Sequence, residues 1–352
     1  MTQPFDILVF IGRFQPVHIG HLEVIQTALQ RSRHVVILIG SSNQPRTSKN
    51  PWTFDQRSDM IMESLAAIDP SYCSRVIIKP LRDQKYNDQK WAMSVQEHVE
   101  DAQRMIHIGI GATRSFSMKI GITGHSKDDS SYYLKMFPQW DLVEHAMNED
   151  VSATDLRRLV FEDKSMKFLS GVLSPHVYET LEAFKKTNEF ILLKREYDMI
   201  KAYKKSWEVA PYPATFVTTD AVVVQSGHVL LIERGAAPGE GLWALPGGFL
   251  NQNEFIEDGM LRELREETKL KVPMPVLRGS IKASKVFDRP DRDPRGRFVT
   301  HAYLIELPPG ELPPVKGSDD ARKARWIPIA DVDESQMYAD HYHIVQYFLG
   351  RV

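Results

Sequence analysis

Cysteine is almost missing from the 352-residue chain. Cys73 stands alone, so no intrachain disulfide can form and a reducing compartment is expected. Long apolar runs are missing too. The longest, Ile7–Ile11 and Val35–Ile39, fall far short of the roughly 20 residues a membrane helix needs. No basic stretch leading into a long apolar one opens the chain, so no signal peptide is expected. There is little excess charge: 44 Lys and Arg face 46 Asp and Glu, a net charge of −2. A nucleic-acid-binding surface normally carries a clear basic excess. No nucleic-acid and no membrane partner is therefore expected, while small anions stay open because local clusters decide their binding. Internal repeats and low-complexity tracts are absent. What is present is an ordinary globular composition, 42% hydrophobic, 26% charged and 10% aromatic, which excludes disordered and fibrous classes. The length suggests two domains of about 100–200 residues each. The first expectation is a soluble, cytoplasmic, two-domain protein.

The first half alternates short apolar runs with amphipathic segments. Ile7–Ile11 and Val35–Ile39 read as buried strands. Between them His21–Arg31 carries Leu22, Ile25 and Leu29 at helical spacing. Asp55 can cap a helix through Leu65, and Trp91–Ala102 reads as another. Val76–Ile78, Met105–Ile110 and Lys119–Thr123 are further strand candidates. This alternation implies an α/β fold with a doubly wound parallel sheet, whose site lies at the carboxyl ends of the strands. Residues 175–205 read as helical and lysine-rich. Ala210-Pro-Tyr-Pro-Ala214 then interrupts helix. The expected organisation is a domain over 1–187, a linker over 188–212 and a second domain over 213–352. In the second, Thr215–Val224 and His228–Ile232 read as a hairpin around Ser226-Gly227. A charged helix from about Glu254 to Leu270, a strand over Val299–Ile305 and a terminal helix over Gln336–Leu349 follow.

Two constellations carry chemistry. The first is Gly12-Arg13-Phe14-Gln15-Pro16-Val17-His18-Ile19-Gly20-His21, between the first strand and the first helix. Unpartnered amides at a helix N-terminus attract polyphosphate. Gly12 and Gly20 let the backbone approach an anion. His18 and His21, one turn apart, can donate to phosphate oxygens, and Arg13 adds a planar cation. Two histidines in a turn can equally be solvated or serve as caps. Downstream, Ser152-Ala-Thr154-Asp-Leu-Arg157-Arg158 offers a cap from Ser152 or Thr154 and an arginine in the first turn.

Together with Asn50-Pro51-Trp52-Thr53 and Arg57, these segments resemble the HxGH nucleotidyltransferase superfamily, and within it nicotinamide mononucleotide adenylyltransferases of archaeal type. The resemblance covers about residues 4–185. It implies a Rossmann-like domain that joins ATP, a substrate, to nicotinamide mononucleotide, giving NAD and pyrophosphate. His18 and His21 would bind the ATP phosphates, Arg13, Thr154 and Arg157 would hold the β- and γ-phosphates, and Mg²⁺ would bridge phosphate oxygens. Gly12, Phe14, Gln15, Gly20 and Ser152 join the substrate-binding set, and Trp91 resembles an aromatic that stacks on nicotinamide. Trp52 is a weaker candidate, read as a structural part of its loop.

The second constellation lies in residues 247–270, where Glu263, Glu266 and Glu267 share one helix face at i, i+3 and i+4. Carboxylates so placed repel unless cations compensate, and Mg²⁺ and Mn²⁺ prefer hard oxygen ligands. Arg262 stands four residues before Glu266 and can orient it. A solvated acidic face laced with salt bridges is the plainer reading. The spacing from Gly248 through Glu254 to Arg262-Glu-Leu-Arg-Glu-Glu267 resembles the Nudix box, with Lys269 where the box has glycine. That glycine ends the helix in a left-handed conformation, which lysine adopts at modest cost. The resemblance implies an α/β/α Nudix domain with a mixed sheet. Glu267 and Glu263 would be the principal metal ligands, with the carbonyl of Gly247, and Glu266 a further ligand or the base, a role the resemblance leaves open among the glutamates. Arg262 joins the substrate-binding set, and so does Arg295, in a loop over Phe287–Arg297 that either reaches the phosphates or ribose of ADP-ribose or is a solvated surface loop.

The whole order resembles bacterial bifunctional nicotinamide mononucleotide adenylyltransferase/Nudix hydrolases. One half would make NAD and the other would cleave ADP-ribose to AMP and ribose 5-phosphate. Alternatives are a Nudix half that senses an ADP-ribose-type ligand without cleaving it, and a transferase that prefers nicotinate mononucleotide. The resemblance of the first half, whose relatives often assemble, leaves a homo-oligomer open.

Overall fold

The computed structural model describes residues 3–109, 117–124, 129–145, 152–162, 169, 171–318 and 321–350. Residue contacts divide the chain into two units, Met1–Lys194 and Arg195–Val352.

The first unit runs β1 (Phe5–Gly12), α1 (Ile19–Arg31), β2 (Ser32–Ile39), α2 (Phe54–Ile68), β3 (Val76–Pro80), α3 (Asp88–Gly109), β4 (Ile120–Gly124), β5 (Asp141–Glu144), α4 (Ala153–Phe161) and α5 (Pro175–Phe184). Helix α6 (Asn188–Ser206) follows, and the division between units falls inside it. The sheet is five-stranded in the order β3-β2-β1-β4-β5, with every pairing parallel. Strands β1 and β2 are continuous apolar runs because helices cover both faces. Ile7, Val9, Val36 and Leu38 meet Val95, Val99 and Ala102 of α3 in one core. The strand order reverses direction at β1, so the crevice beyond its carboxyl end is where a doubly wound sheet binds ligands.

Two local expectations need correction. Met105–Ile110 is not a strand: up to Gly109 it continues α3, and Ile110 lies outside the described residues. Val95, Val99, Ala102 and Ile106 keep helical spacing on the buried face, while Met105 and Ile108 are exposed. The cap of α2 is Thr53 rather than Asp55. Its hydroxyl accepts from the Gln56 amide at 3.3 Å, and the Gln56 side chain accepts from the Thr53 amide at 3.1 Å. This reciprocal pair satisfies two amides that a single cap leaves open.

The second unit continues with β6 (Thr215–Gln225), β7 (His228–Arg234), β8 (Trp243–Ala244), β9 (Gly247–Phe249), α7 (Ile256–Thr268), α8 (Met274–Gly279), β10 (Ile281–Phe287), β11 (Arg297–Glu306), β12 (Ala321–Pro328) and α9 (His341–Phe348). The sheet is mixed, in the order β10-β11-β6-β7-β12, with β8 on β7 and β9 on β6. Only β11 and β6 pair in parallel along that order. The expected hairpin is present, with Ser226 and Gly227 both at positive φ. Met260, Leu261 and Leu264 of α7 pack on Ala221, Val223 and Leu230. The terminal helix starts at His341, later than expected, because Met337 bridges Trp243 and the buried Asp340 pairs with Arg292.

No helix among the described residues is long and apolar enough to cross a membrane.

Candidate functional site

In the first unit the turn after β1 is built from side chains beneath it. Phe14 takes a left-handed backbone (φ 53°) and folds its ring under Gly12, where a Cβ would stand 2.9 Å from that ring. Phe14 is buried and packs on Phe10 and on the His21 ring, 4.9 Å between centroids. Gln15 is buried as well. Its amide donates to the Trp52 carbonyl (2.8 Å) and to the Asn50 side chain, and accepts from the Trp52 amide (3.1 Å). Both side chains, expected among the substrate contacts, therefore hold the turn from inside. Trp52 is fully buried, a structural part of its loop as the sequence suggests. His18 is the residue before α1 and His21 lies in its first turn, with ring centroids 3.7 Å apart. A Cβ on Gly20 would stand 3.3 Å from the His18 ring and press on it.

Three arginines surround this turn. Arg57 is fully buried and donates to the carbonyls of Arg13 (2.7 Å), Gly40 (2.7 Å), Thr53 (3.1 Å) and Ser41 (3.3 Å). It ties the segments that leave β1 and β2 to the start of α2. Arg157 is buried and donates to the Gln15 carbonyl (2.6 Å) and the Thr154 hydroxyl (3.0 Å). Burial, and next the charge of Arg13, push Arg157 down to about 10. Burial does the same to Arg57, also to about 10, with Asp83 opposing and Arg13 adding. Two buried guanidiniums that both feel the charge of Arg13 mark a place that an anion would relieve. Ser152 precedes α4 but makes no side-chain cap, and Thr154 serves Arg157 instead, so the expected hydroxyl cap is absent from α4. Trp91, in the first turn of α3, is half-buried. It meets Tyr133 edge-on at 6.0 Å, and the Tyr133 hydroxyl donates to the carbonyl of Ile11 at the end of β1.

In the second unit α7 meets the Gly247-Gly248 strand β9. The Gly247 amide donates to Glu267 Oε2 at 2.9 Å. A Cβ on Gly247 would stand 2.2 Å from the Thr219 carbonyl, and one on Gly248 would stand 2.6 Å from the Glu263 carboxylate. Glycine at 247 lets the strand pass against the Thr219 backbone, and glycine at 248 leaves the Glu263 carboxylate its place. Glu267 is 6% exposed. Burial pushes it up to about 8; the Gly247 amide opposes and the neighbouring Glu263 carboxylate adds. Glu263 is raised by burial, against the pull of Arg262.

Arg262 is the hub of the helix. It donates to Glu254 (2.7 and 3.0 Å), Glu263 (2.8 Å), Glu266 (3.0 Å) and the Phe249 carbonyl (3.2 Å). Its hydrogen bonds, with that of the Asn251 amide next, hold Glu254 at about 2. The three glutamates do not share one setting. Glu267 lines a cavity of about 220 Å³, whereas Glu266 borders an open groove with Arg265 and Lys269. Among the described residues no three acidic, histidine or cysteine side chains form a ready metal-ligand group. The chemistry of Glu267 still fits a cation: a buried carboxyl beside a second one is relieved by positive charge. Lys269 occupies the left-handed position (φ 50°, ψ 28°) that ends α7, as expected of the residue replacing the box glycine.

The cavity is also lined by Asp220, Arg234, Gly247, Phe249, Arg295 and Tyr338, among others. Arg295 enters it in a fixed pose. Asp293 takes its Nε (2.9 Å) and Nη2 (2.7 Å), and the guanidinium lies 4.6 Å from the Phe298 ring centre. Burial alone would lower Arg295, but the Asp293 bonds outweigh it and raise the guanidinium above its ordinary value. The other arginines of the 287–297 loop have local partners: Arg289 with Asp291, Arg292 with buried Asp340 and Arg297 with Asp288. The sequence reading missed Asp220, Arg234 and Tyr338. Asp220 is a lone acid in an apolar strand, a signal that was available; Arg234 and Tyr338 lie outside the box and carry none.

Residues 9–159 match the cytidylyltransferase-like family and residues 214–348 the NUDIX domain. A nicotinamide/nicotinic acid mononucleotide adenylyltransferase of Acinetobacter baylyi is 39% identical over 188 residues, 51% of this chain and 92% of that protein. An ADP-ribose pyrophosphatase of Methanocaldococcus jannaschii is 32% identical over 145 residues, 41% of this chain and 78% of that protein. The crystal structure of a bifunctional NMN adenylyltransferase/ADP ribose pyrophosphatase from Francisella tularensis, complexed with AMP and a manganese ion, superposes with a TM-score of 0.86 at 35% identity. It covers 98% of this chain and 99% of that one. With a nucleotidyltransferase turn braced by arginines in one unit and a carboxylate helix on a glycine strand in the other, the chain belongs to the family that joins an NMN adenylyltransferase to a Nudix ADP-ribose pyrophosphatase.

Proposed function

We propose that the first unit transfers AMP from ATP to nicotinamide mononucleotide and that the second hydrolyses ADP-ribose. The observation that carries the first half is the convergence of buried Arg57 and Arg157 on the carbonyls of Arg13 and Gln15, in the turn that leads to the adjacent rings of His18 and His21. A 5′-phosphate oxygen of the mononucleotide attacks the α-phosphorus of ATP. The bond from that phosphorus to the bridging oxygen breaks, and pyrophosphate leaves. The chain forms no covalent intermediate; it positions the phosphates and offsets their charge. His18 and His21 donate to phosphate oxygens at the helix N-terminus, and Arg13 supplies the cation. Arg157 and Arg57 keep that turn in shape through the carbonyls of Gln15 and Arg13. Trp91 offers an aromatic face for the nicotinamide ring. Nicotinate mononucleotide is the alternative acceptor, decided by comparing kcat/KM for the two.

In the second unit, water attacks one phosphorus of the diphosphate and the bridging P–O bond breaks, leaving AMP and ribose 5-phosphate. Glu267 and Glu263, with the Gly247 carbonyl, would hold a divalent cation, Mg²⁺ or Mn²⁺, and Glu266 would follow if it leaves Arg262. When bound, the cation supplies charge neutralisation of the diphosphate and activation of water. Arg295 offers its remaining Nη1 edge to the substrate, and Phe249 and Phe298 wall the cavity.

The two sites are proposed to work independently. His18→Ala should abolish NAD formation and leave ADP-ribose cleavage intact, and Glu267→Gln should do the reverse. Loss of both activities in either folded variant would overturn this. Tight ADP-ribose binding without turnover by the wild type would make the second unit a sensor.

A further inference from the structure

The cavity of the second unit holds a cation that the mechanism above does not use. Arg234, at the end of β7, lines it together with Glu267 and Gly247. Its Nε donates to the Pro238 carbonyl at 2.9 Å, and its guanidinium lies 4.2 Å from the centre of the Tyr338 ring. That leaves the Nη edge, the part of an arginine that pairs with phosphate oxygens.

The loop that fixes Arg234 is itself clamped from outside the Nudix segment. The Gly239 amide donates to Glu196 Oε2 of α6 at 2.8 Å. Gly239 has φ +76°, and a Cβ there would stand 2.3 Å from the Tyr338 ring. Residues 235–241 are therefore wedged between Glu196 and Tyr338, and Gly235, Ala236 and Ala237 of this loop line the cavity. Glu196 lies in a lysine-rich stretch that sequence alone presents as a solvated helix.

We infer that Glu196, through Gly239 and the 235–241 loop, is the positioning residue for Arg234, which lines the cavity where the substrate's diphosphate is held. The inference rests on the second unit acting on a nucleoside diphosphate derivative. An arginine released from this clamp still carries its charge but must be ordered by the substrate, so the loss falls on binding.

The test is steady-state kinetics with Mn²⁺ on ADP-ribose and other nucleoside diphosphate derivatives, with adenylyl transfer and the melting curve measured alongside. Arg234→Gln should raise KM about ten-fold, the size of one charged hydrogen-bond pair. Glu196→Ala should raise KM about five-fold with kcat within about two-fold, and Glu196→Gln, which keeps an acceptor for Gly239, should recover part of it. Gly239→Ala should repeat the Glu196→Ala pattern by displacing the loop from the Tyr338 side. Unchanged KM in both loop variants, or equal falls in kcat, adenylyl transfer and melting point, overturns the assignment. If the wild type cleaves no member of the panel, the pyrophosphatase reading fails. Calorimetric binding of ADP-ribose, with a non-hydrolysable ATP analogue saturating the first unit, then decides the inference: weaker binding by Glu196→Ala supports it, and equal binding overturns it.

Discussion

Replacing Lys269 by glycine should stabilise the second unit. Lys269 ends α7 at φ 50° and ψ 28°, a region that costs an L-residue roughly 1–2 kcal/mol. Glycine removes this strain but gains freedom in the unfolded chain, which takes back about 0.4–1 kcal/mol. The balance is a gain of about 0.5–1 kcal/mol. The hydrogen bonds at this helix end run between backbone groups and survive the change: Lys269 donates to the Arg265 carbonyl (3.0 Å), Lys316 to that of Thr268 (2.8 Å) and Ser318 to that of Glu267 (3.2 Å). The lysine side chain is exposed, so little packing is lost. For a unit of this size the gain corresponds to about 1–4 °C. Thermal and urea unfolding of Lys269→Gly, Lys269→Asn and Lys269→Val, without added metal, should rank glycine first, then asparagine, then lysine, with valine last. A lower midpoint for the glycine variant, or a valine variant equal to wild type, would refute the strain argument.

Gly248→Ala and Gly247→Ala should differ in kind. The first pushes on the movable tip of Glu263 and should lower hydrolysis while leaving the melting point almost unchanged; the second meets the Thr219 backbone and should lower the melting point as well. Burial would raise Asp293, but Arg295 outweighs it and holds the carboxyl below its ordinary 3.8. A depressed acid contributes stability above that value and loses it as pH falls through the folded one. Urea midpoints between pH 7 and 3 should therefore fall less steeply at the acid end in Asp293→Asn, from a lower plateau; identical slopes would contradict the pairing. Arg57→Met removes the guanidinium donor of the Arg13 and Gly40 carbonyls and should cost about 2–4 kcal/mol, with NAD formation falling more than ADP-ribose cleavage.

The sequence exposed what periodicity and spacing can carry. The buried strands β1 and β2 are unbroken Val/Ile runs, and the Nudix spacing places Glu263 and Glu267 on one helix. The left-handed end of α7 was foreseeable because Lys269 stands where the box has glycine. Phe14 and Gln15 show the limit of motif reading: the motif marks both residues but does not reveal that their side chains are buried and brace the turn. Spacing likewise could not show that Arg262 takes both Glu263 and Glu266 while Glu267 is bound by the Gly247 amide, since neighbouring positions of one helix face can still meet different partners. Arg234 and Glu196 were out of reach because their meaning depends on a loop that joins them only in the folded chain.

The turn after β1 has one more consequence. Its fastenings come from far along the chain: Trp52 and Asn50 hold Gln15, Arg57 holds the Arg13 carbonyl, and Arg157 reaches Gln15 across 142 positions. A nascent chain that has completed β1, α1 and β2 already possesses both histidines, yet lacks the struts that shape the turn between them. Competence for nucleotide chemistry thus arrives late in the folding of the first unit, after contacts of long sequence separation have closed. The Trp52 amide, bonded to Gln15, is the place where hydrogen exchange would register that moment.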